Sequence, residues 1–377
     1  MTTDRKTSKI KRIPWLLVAL ILLSVLAYWF WQSLQDPDFE SDSSFIWSDP
    51  APSTPQKIRF TMLEWDVHPD ESLQNWIKRQ NPQNTGNLNF YMRYILQCEP
   101  NQAFDILNHP ATDSLAREVA AYWSSDKHEI LEAKIKVSEV LQRYRQWTHT
   151  PMKPMPVLGM LGLFQYQCAL TDSSLWLGLD LFMKEDYRYY HTVHGLYQYQ
   201  IRRTHPRHLP PAVARSLAQD LMDSRSRSAD ADSVFATSGL QSSVVLGQCL
   251  YEGKIMFLVN TMLLESHDSL LLGYTPAQWK WIEKNQEWVW RKWISEEILF
   301  SEDPLVMARC FSDGPYSSNL DAASPPALGK YFGYKIIKQW IARNGKSKDQ
   351  IMRFLFQTGG DPASILRESG YRGREEG

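Results

Sequence analysis

Four histidines fall in one short stretch. His191 and His194 are three residues apart, and His205 and His208 repeat that spacing, so each pair could present two imidazoles to a metal from one helical face. Their neighbours Tyr187, Tyr189, Tyr190, Arg202, Arg203 and Arg207 have the make-up of a polar surface segment instead, where histidines are solvated or stacked. No metal is assigned to them. A zinc protease would carry HExxH on a helix, with two imidazoles on one face and a carboxylate base beside the bound water, and that motif is absent. Neither a GxSxG nucleophile elbow nor a GxGxxG or GxxxxGK phosphate loop occurs, and Leu158-Gly159-Met160-Leu161-Gly162 is too loose to count as one. The sequence therefore names no catalytic residue and implies no cofactor.

What stands out is polar groups in apolar company. Gln241, Gln248 and Glu252 lie at i, i+7 and i+11 of an apolar run, so all three project from one side of a helix. A carboxylate there is costly unless it is paired or hydrogen-bonded, so Glu252 needs a partner or a polar cavity. The plainer reading is a salt bridge to an arginine or the capping of a neighbouring helix; the sharper one is a ligand site. Asp180, ending Leu177-Gly178-Leu179-Asp180, poses the same question. Gln248, Glu252 and Asp180 are the candidate lining of a polar binding cavity.

The elements that would position them are mostly helices. Leu240 to Leu264 is apolar nearly all round, the pattern of a central buried helix. Thr275-Pro276-Ala277-Gln278 joins an N-cap threonine, a proline at the first helical position and a glutamine able to close a capping box, which predicts a helix from Pro276 to about Glu297. On it Trp279, Trp290 and Trp293 roughly share one face and Trp281 and Trp288 another, suiting core packing or an aromatic interaction surface. Further helices are expected at Asp70 or Ser72 to Lys78, Asn89–Gln97, Thr112–Trp123, Asp126–Trp147 and Ala212–Met222. Three more should follow Pro304, Pro326 and Pro362, and Ser347-Lys348-Asp349-Gln350 is another capping box. Asp223–Ser238 reads as a polar loop. Lys57–Val67 reads as a strand, and Pro156–Phe164, Gln165–Leu170 and Leu175–Met183 as a small sheet containing a hairpin. The fold class is mainly α (α+β): a helical domain with a minor sheet.

Hydrophobic residues make up 43% and charged residues 22%, ordinary globular usage with material for a sizeable core. A net charge of −1 and no basic run beyond the N-terminus argue against a nucleic-acid partner. Cys98, Cys168, Cys249 and Cys310 are widely spaced without CxxC, so neither a zinc knuckle nor a redox pair is indicated, and Cys249 reads as a buried thiol.

The N-terminus gives an address. Arg5, Lys6, Lys9, Lys11 and Arg12 precede an uncharged apolar run from Ile13 to Trp31, long enough for a helix to cross a hydrocarbon core of ~30 Å. Asp36, Asp38, Glu40 and Asp42 follow, with no basic residue until Lys57, so the positive-inside rule leaves the head in the cytoplasm and sends the rest across. Val25-Leu26-Ala27 could serve a signal peptidase, although four aromatics follow at once, and an uncleaved signal anchor is the preferred reading. The expected organisation is a basic head at 1–12, a single membrane span at 13–34, a Ser-, Asp- and Pro-rich linker at 35–56, an exported domain at 57–371 and a tail at 372–377.

Three C-terminal stretches carry a resemblance: Leu250-Tyr251-Glu252-Gly253-Lys254-Ile255-Met256-Phe257-Leu258, Leu272-Gly273-Tyr274-Thr275, and Pro326-Ala327-Leu328-Gly329-Lys330-Tyr331-Phe332-Gly333-Tyr334-Lys335-Ile336-Ile337. With Asp172-Ser173-Ser174-Leu175-Trp176-Leu177-Gly178-Leu179-Asp180 they resemble the gliding-motility lipoprotein GldB family of Bacteroidetes, over roughly Lys57 to Tyr371. The resemblance implies an envelope protein tied to gliding motility and, by association, to type IX secretion, with envelope proteins as partners and no established enzymatic activity. It also implies a distant likeness to zinc peptidase domains without the metal motif, in which Glu252-Gly253 would be a relic of the second zincin helix; a zincin-like hydrolase is the alternative reading. The chain departs from the family in lacking a lipidation cysteine after the apolar run, the first cysteine being Cys98, so a transmembrane anchor is expected to replace the lipid.

Overall fold

The computed structural model describes residues 60–62, 72–79, 82–147, 155–171, 174–192, 196–229, 244–264, 266–357 and 360–374. All belong to one compact unit, Trp47–Gly377. The expected basic head, span and linker lie outside the described residues, and no helix among those described is long and apolar enough to cross a membrane.

A four-stranded sheet sits between two bodies of helices. Its strands are β1 (Phe60–Met62), β2 (Val157–Met160), β3 (Cys168–Leu170) and β4 (Leu175–Gly178), in the order β1-β2-β4-β3. β1 runs parallel to β2 and β2 to β4, whereas β3 and β4 form the expected antiparallel hairpin, with Ala169 opposite Trp176. Side chains alternate across a pleated strand. Val157, Leu175 and Leu177 therefore enter the large helical core, while Leu158, Met160 and Trp176 enter a second, smaller core on the opposite face.

Helices α1 (Leu73–Arg79), α2 (Pro82–Phe90) and α3 (Pro100–Asn108) supply that smaller core through Trp76, Leu88, Ala103 and Leu107. The helix expected over Asn89–Gln97 is α2 passing into a π-helical turn, Tyr91–Leu96, that ends at left-handed Gln97. Next come α4 (Pro110–Trp123) and α5 (His128–Trp147), the latter burying Ile130, Val137, Leu141 and Tyr144 at helical spacing as the sequence predicts.

The C-terminal part comprises α6 (Leu209–Ala229), α7 (Val245–Met262), α8 (Pro276–Ser295), α9 (Pro304–Phe311), α10 (Leu328–Asn344), α11 (Lys348–Phe356) and α12 (Pro362–Ser369). The capping box that opens α8 is present, with Thr275 Oγ1 accepting from the Gln278 amide at 3.2 Å and the Gln278 side chain accepting from the Thr275 amide at 3.0 Å. The residues between α6 and α7 were expected to form a loop from Asp223 onward, yet α6 continues to Ala229. Ser224 to Ala229 contains no glycine or proline, and Arg225 and Arg227 are good helix formers, so nothing in the chain stops the helix sooner.

At the centre, α7 lies against α10 almost backbone to backbone. A Cβ on Gly253 would collide with the carbonyl of Gly333, and one on Gly333 with the carbonyl of Cys249. The two glycines let the helices approach closely, and that approach places the first turn of α10 beside the polar side of α7. The three tryptophans predicted to share a face of α8 are buried: Trp290 and Trp293 pack on Phe332 of α10, and Trp279 on Tyr331. Trp288, on the other face, is 50% exposed.

Candidate functional site

Asp180 lies just past β4. The expected strand through Met183 ends at Gly178, where a side chain would strike the Tyr166 carbonyl, and Leu179–Phe182 forms a 3-10 turn. The turn aims the Asp180 carboxylate inward, fully buried, where it accepts hydrogen bonds from the amides of Gly162 and Phe164, each at 2.7 Å. Leu163 and Phe164 have positive φ, an uncommon backbone for residues with a Cβ, and the two bonds hold that loop in place. Around the turn, Tyr190 donates its hydroxyl to the Asp180 carbonyl at 2.7 Å and accepts from the Met183 amide, while the Trp123 indole donates to the Leu179 carbonyl. Burial raises the Asp180 carboxyl to about 6, against the pull of its backbone hydrogen bonds. Both carboxylate oxygens are spent on the fold.

Glu252 is placed by α7, as the sequence expected, and meets the plainer reading: its Oε2 accepts from Arg215 of α6 at 2.6 Å. The guanidinium also lies 3.5 Å from the sulfur of Met256, one turn further along α7. This pair is not sealed, since the Arg215 side chain remains 28% exposed against 10% for Glu252. Gln248, one turn before Glu252 on the same face, is half-buried, and its side chain has no hydrogen bond among the described residues. Gln241 lies outside them. The structure thus puts Gln248 and Glu252 on one helical side, whereas Asp180 bonds to the β2–β3 loop and shares no hydrogen-bonding partner with Glu252.

Lys330 lies in the field of this pair and of a second one, Arg203 with Asp313. Arg203 follows the short turn Gln198–Ile201, bonds Asp313 at 2.8 Å and donates to the Gly273 carbonyl at 3.3 Å. Lys330 stands in the first turn of α10; burial lowers its ammonium, Arg215 and Arg203 lower it further, and Glu252 and Asp313 act the other way. The signal available in the sequence was Arg215 itself, a lone guanidinium among Val213, Ala214, Leu217 and Ala218.

Among the described residues the histidines form no metal-binding cluster. His205 accepts from the Arg207 amide through Nδ1 and so opens a short turn, and burial beside Arg207 and Arg203 pushes His208 down to about 3. His191 is exposed and His194 lies outside the described residues. Among the described residues no group of three or more His, Cys, Asp or Glu side chains could hold a metal ion, and in place of a zincin ligand the Glu252 carboxylate meets a guanidinium. The four cysteines are free thiols, Cys249 buried as expected.

These features define a mainly helical domain around a small buried sheet, with an ion-paired polar face where α6, α7 and α10 meet. Residues 53–373 match the family described as gliding motility protein GldB, and the chain belongs to that family. No curated protein and no solved structure matches it.

Proposed function

We propose that the protein is a membrane-anchored component of the cell envelope that acts without catalysis as an assembly or interaction factor in gliding motility, linked to type IX secretion. The observation that carries the reading is the family match over 53–373, which leaves ahead of it a stretch holding a basic head, the apolar run Ile13–Trp31 and an acidic exit. That charge order favours a single span with the N-terminus in the cytoplasm and the domain in the periplasm. Gln248 and Glu252 belong in this reading to a binding face, where Arg215 and the neighbouring cations give a ligand or partner something to recognise.

Three measurements test it. A reporter fused after Gly377 should be active only outside the cytoplasm, with the N-terminal head retained in the mature chain; activity confined to the cytoplasm would sink the topology. Crosslinking and pulldown from solubilised membranes should recover envelope proteins, and a strain lacking the chain should lose gliding or secretion. Recovery of no envelope partner together with intact motility would remove the assembly role.

A further inference from the structure

A small cavity opens where the end of α8, the helix α9 and the loop before α10 meet. α8 stops at Ser295, and Glu297, at φ +54, reverses the chain into the turn Ile298–Phe300. Asp303 accepts from the Leu305 amide at 2.8 Å and so opens α9. The last residue of α9, Phe311, packs so closely on the first turn of α10 that a Cβ on Gly329 would strike its ring. The loop between them is held at Ser317, which donates its hydroxyl to the Pro325 carbonyl at 2.8 Å and its amide to Ser324 Oγ at 3.2 Å. These elements leave about 190 Å³ between them. An apolar cavity of ~150 Å³ already holds benzene. The floor is apolar and buried, made by Trp293, Ile298, Cys310 and Leu328. Burial pushes the Cys310 thiol up to about 12, so the floor is uncharged at neutral pH. The rim is polar and exposed, with Glu296, Arg309 and Asn319 open to solvent. Arg309 donates through Nε to the Leu305 carbonyl at 3.2 Å, and its guanidinium has no ion pair among the described residues. Lys292 bonds Oε1 of Glu296 and leaves Oε2 available, and the Asn319 side chain has no hydrogen bond among the described residues. The Ser317 hydroxyl, which also lines the cavity, gives its proton to Pro325 and so can only accept from a ligand.

We infer that this cavity binds a free α-amino acid with an apolar side chain. Arg309 and Asn319 donate to its carboxylate, Glu296 Oε2 and Ser317 accept from its ammonium, and its side chain covers Trp293 and Leu328. An apolar floor with a few polar groups converging at the mouth is the ordinary design of a small-molecule site. The lining carries one cation and one anion, which a zwitterion matches charge for charge. A simple acid would bring an uncompensated carboxylate to Glu296, and a simple amine an uncompensated ammonium to Arg309. The end of a polypeptide carries only one of the two charges on its terminal residue, so a free amino acid fits and a chain terminus does not. The inference goes beyond the envelope role proposed above and stands on the cavity alone.

The test is calorimetric titration of the full chain with leucine, leucinamide, 4-methylpentanoate and glycine. Leucinamide lacks the carboxylate and 4-methylpentanoate the ammonium, so each should bind about tenfold more weakly than leucine, the loss of one charge-assisted contact. Glycine leaves the floor uncovered and should bind about a hundredfold more weakly. Arg309→Gln should weaken leucine about tenfold and leave leucinamide unchanged. Glu296→Gln should weaken leucine by a similar factor and leave 4-methylpentanoate unchanged. No binding of leucine at millimolar concentration, equal binding of leucine and either analogue, or Arg309→Gln weakening leucine and leucinamide alike would each overturn the assignment. The ligand series uses the unaltered chain, so a misfolded variant leaves the question decidable.

Discussion

Two buried carboxylates, Asp180 and Glu252, look alike in sequence, each an acid among aliphatic residues, and the fold uses them in opposite ways. Asp180 is sealed, bonded only to backbone amides, and fixes a loop of unusual backbone conformation. Glu252 sits at a rim, bonded to an arginine that still reaches water, and helps to orient a cluster of charges. The partner tells the roles apart: backbone amides cannot move away or be replaced by a ligand, whereas a part-exposed guanidinium can. Fractional burial alone, 0% against 8%, would not have distinguished them.

The largest effect should come from removing the sealed acid. Asp180→Ala strands two buried amide donors, each worth roughly 1–3 kcal/mol, so a loss of about 4 kcal/mol is expected in urea unfolding. Asp180→Asn keeps one acceptor oxygen and should lose about half as much. A loss below about 1 kcal/mol for the alanine variant would mean that the Gly162–Phe164 loop holds its shape without the clamp.

A smaller effect, of the opposite sign, attaches to the charge on the same group. Its folded-state value of about 6 lies above the ordinary 3.8, so the folded protein keeps the proton more tightly than the unfolded chain. Asp180 should therefore make the fold progressively less stable as pH rises from about 4 to 6, by on the order of 2–3 kcal/mol, with no further change above that. Subtracting the Asp180→Asn profile from the parent profile isolates the contribution; a flat difference across that window would place the carboxyl near its ordinary value.

How much of this was legible in the sequence follows from the same contrast. Patterns that repeat along one element were readable: the capping box of α8, its two faces of tryptophan, the apolar α7 carrying Glu252, and the β3–β4 hairpin all stand where residue spacing put them. The helix α3 was missed although its signal was present, Glu99-Pro100-Asn101-Gln102 forming a capping box of the same kind as that of α8. What depends on two distant segments meeting was not readable. Nothing local in Leu177 to Asp180 says that the strand must stop because Tyr166 crosses Gly178, and nothing near Glu252 points to Lys330. Arg215 was half-visible: a lone cation in an apolar helix needs an acid, but its sequence does not say which one.

Breaking the rim pair should cost less than breaking the clamp. In a double-mutant cycle with Arg215→Met and Glu252→Gln, the coupling should be about 1–2 kcal/mol and should fall as salt is raised, because the guanidinium is part-hydrated and screened. A coupling of about 4 kcal/mol, insensitive to salt, would mean that Glu252 is as sealed as Asp180 and would erase the contrast.

The smallest stability effect is the most informative about binding. Gln248 is half-buried and its side chain makes no hydrogen bond among the described residues, so Gln248→Ala should change unfolding free energy by no more than about 0.5 kcal/mol. With Gln248 part of the proposed binding face beside Glu252, that variant should nonetheless weaken recovery of the envelope partner by crosslinking several-fold. Stability and binding would then separate at this position, as they cannot at Asp180, where any change is felt first by the fold. Loss of both together would show that Gln248 packs like a core residue, and loss of neither would remove it from the recognising face.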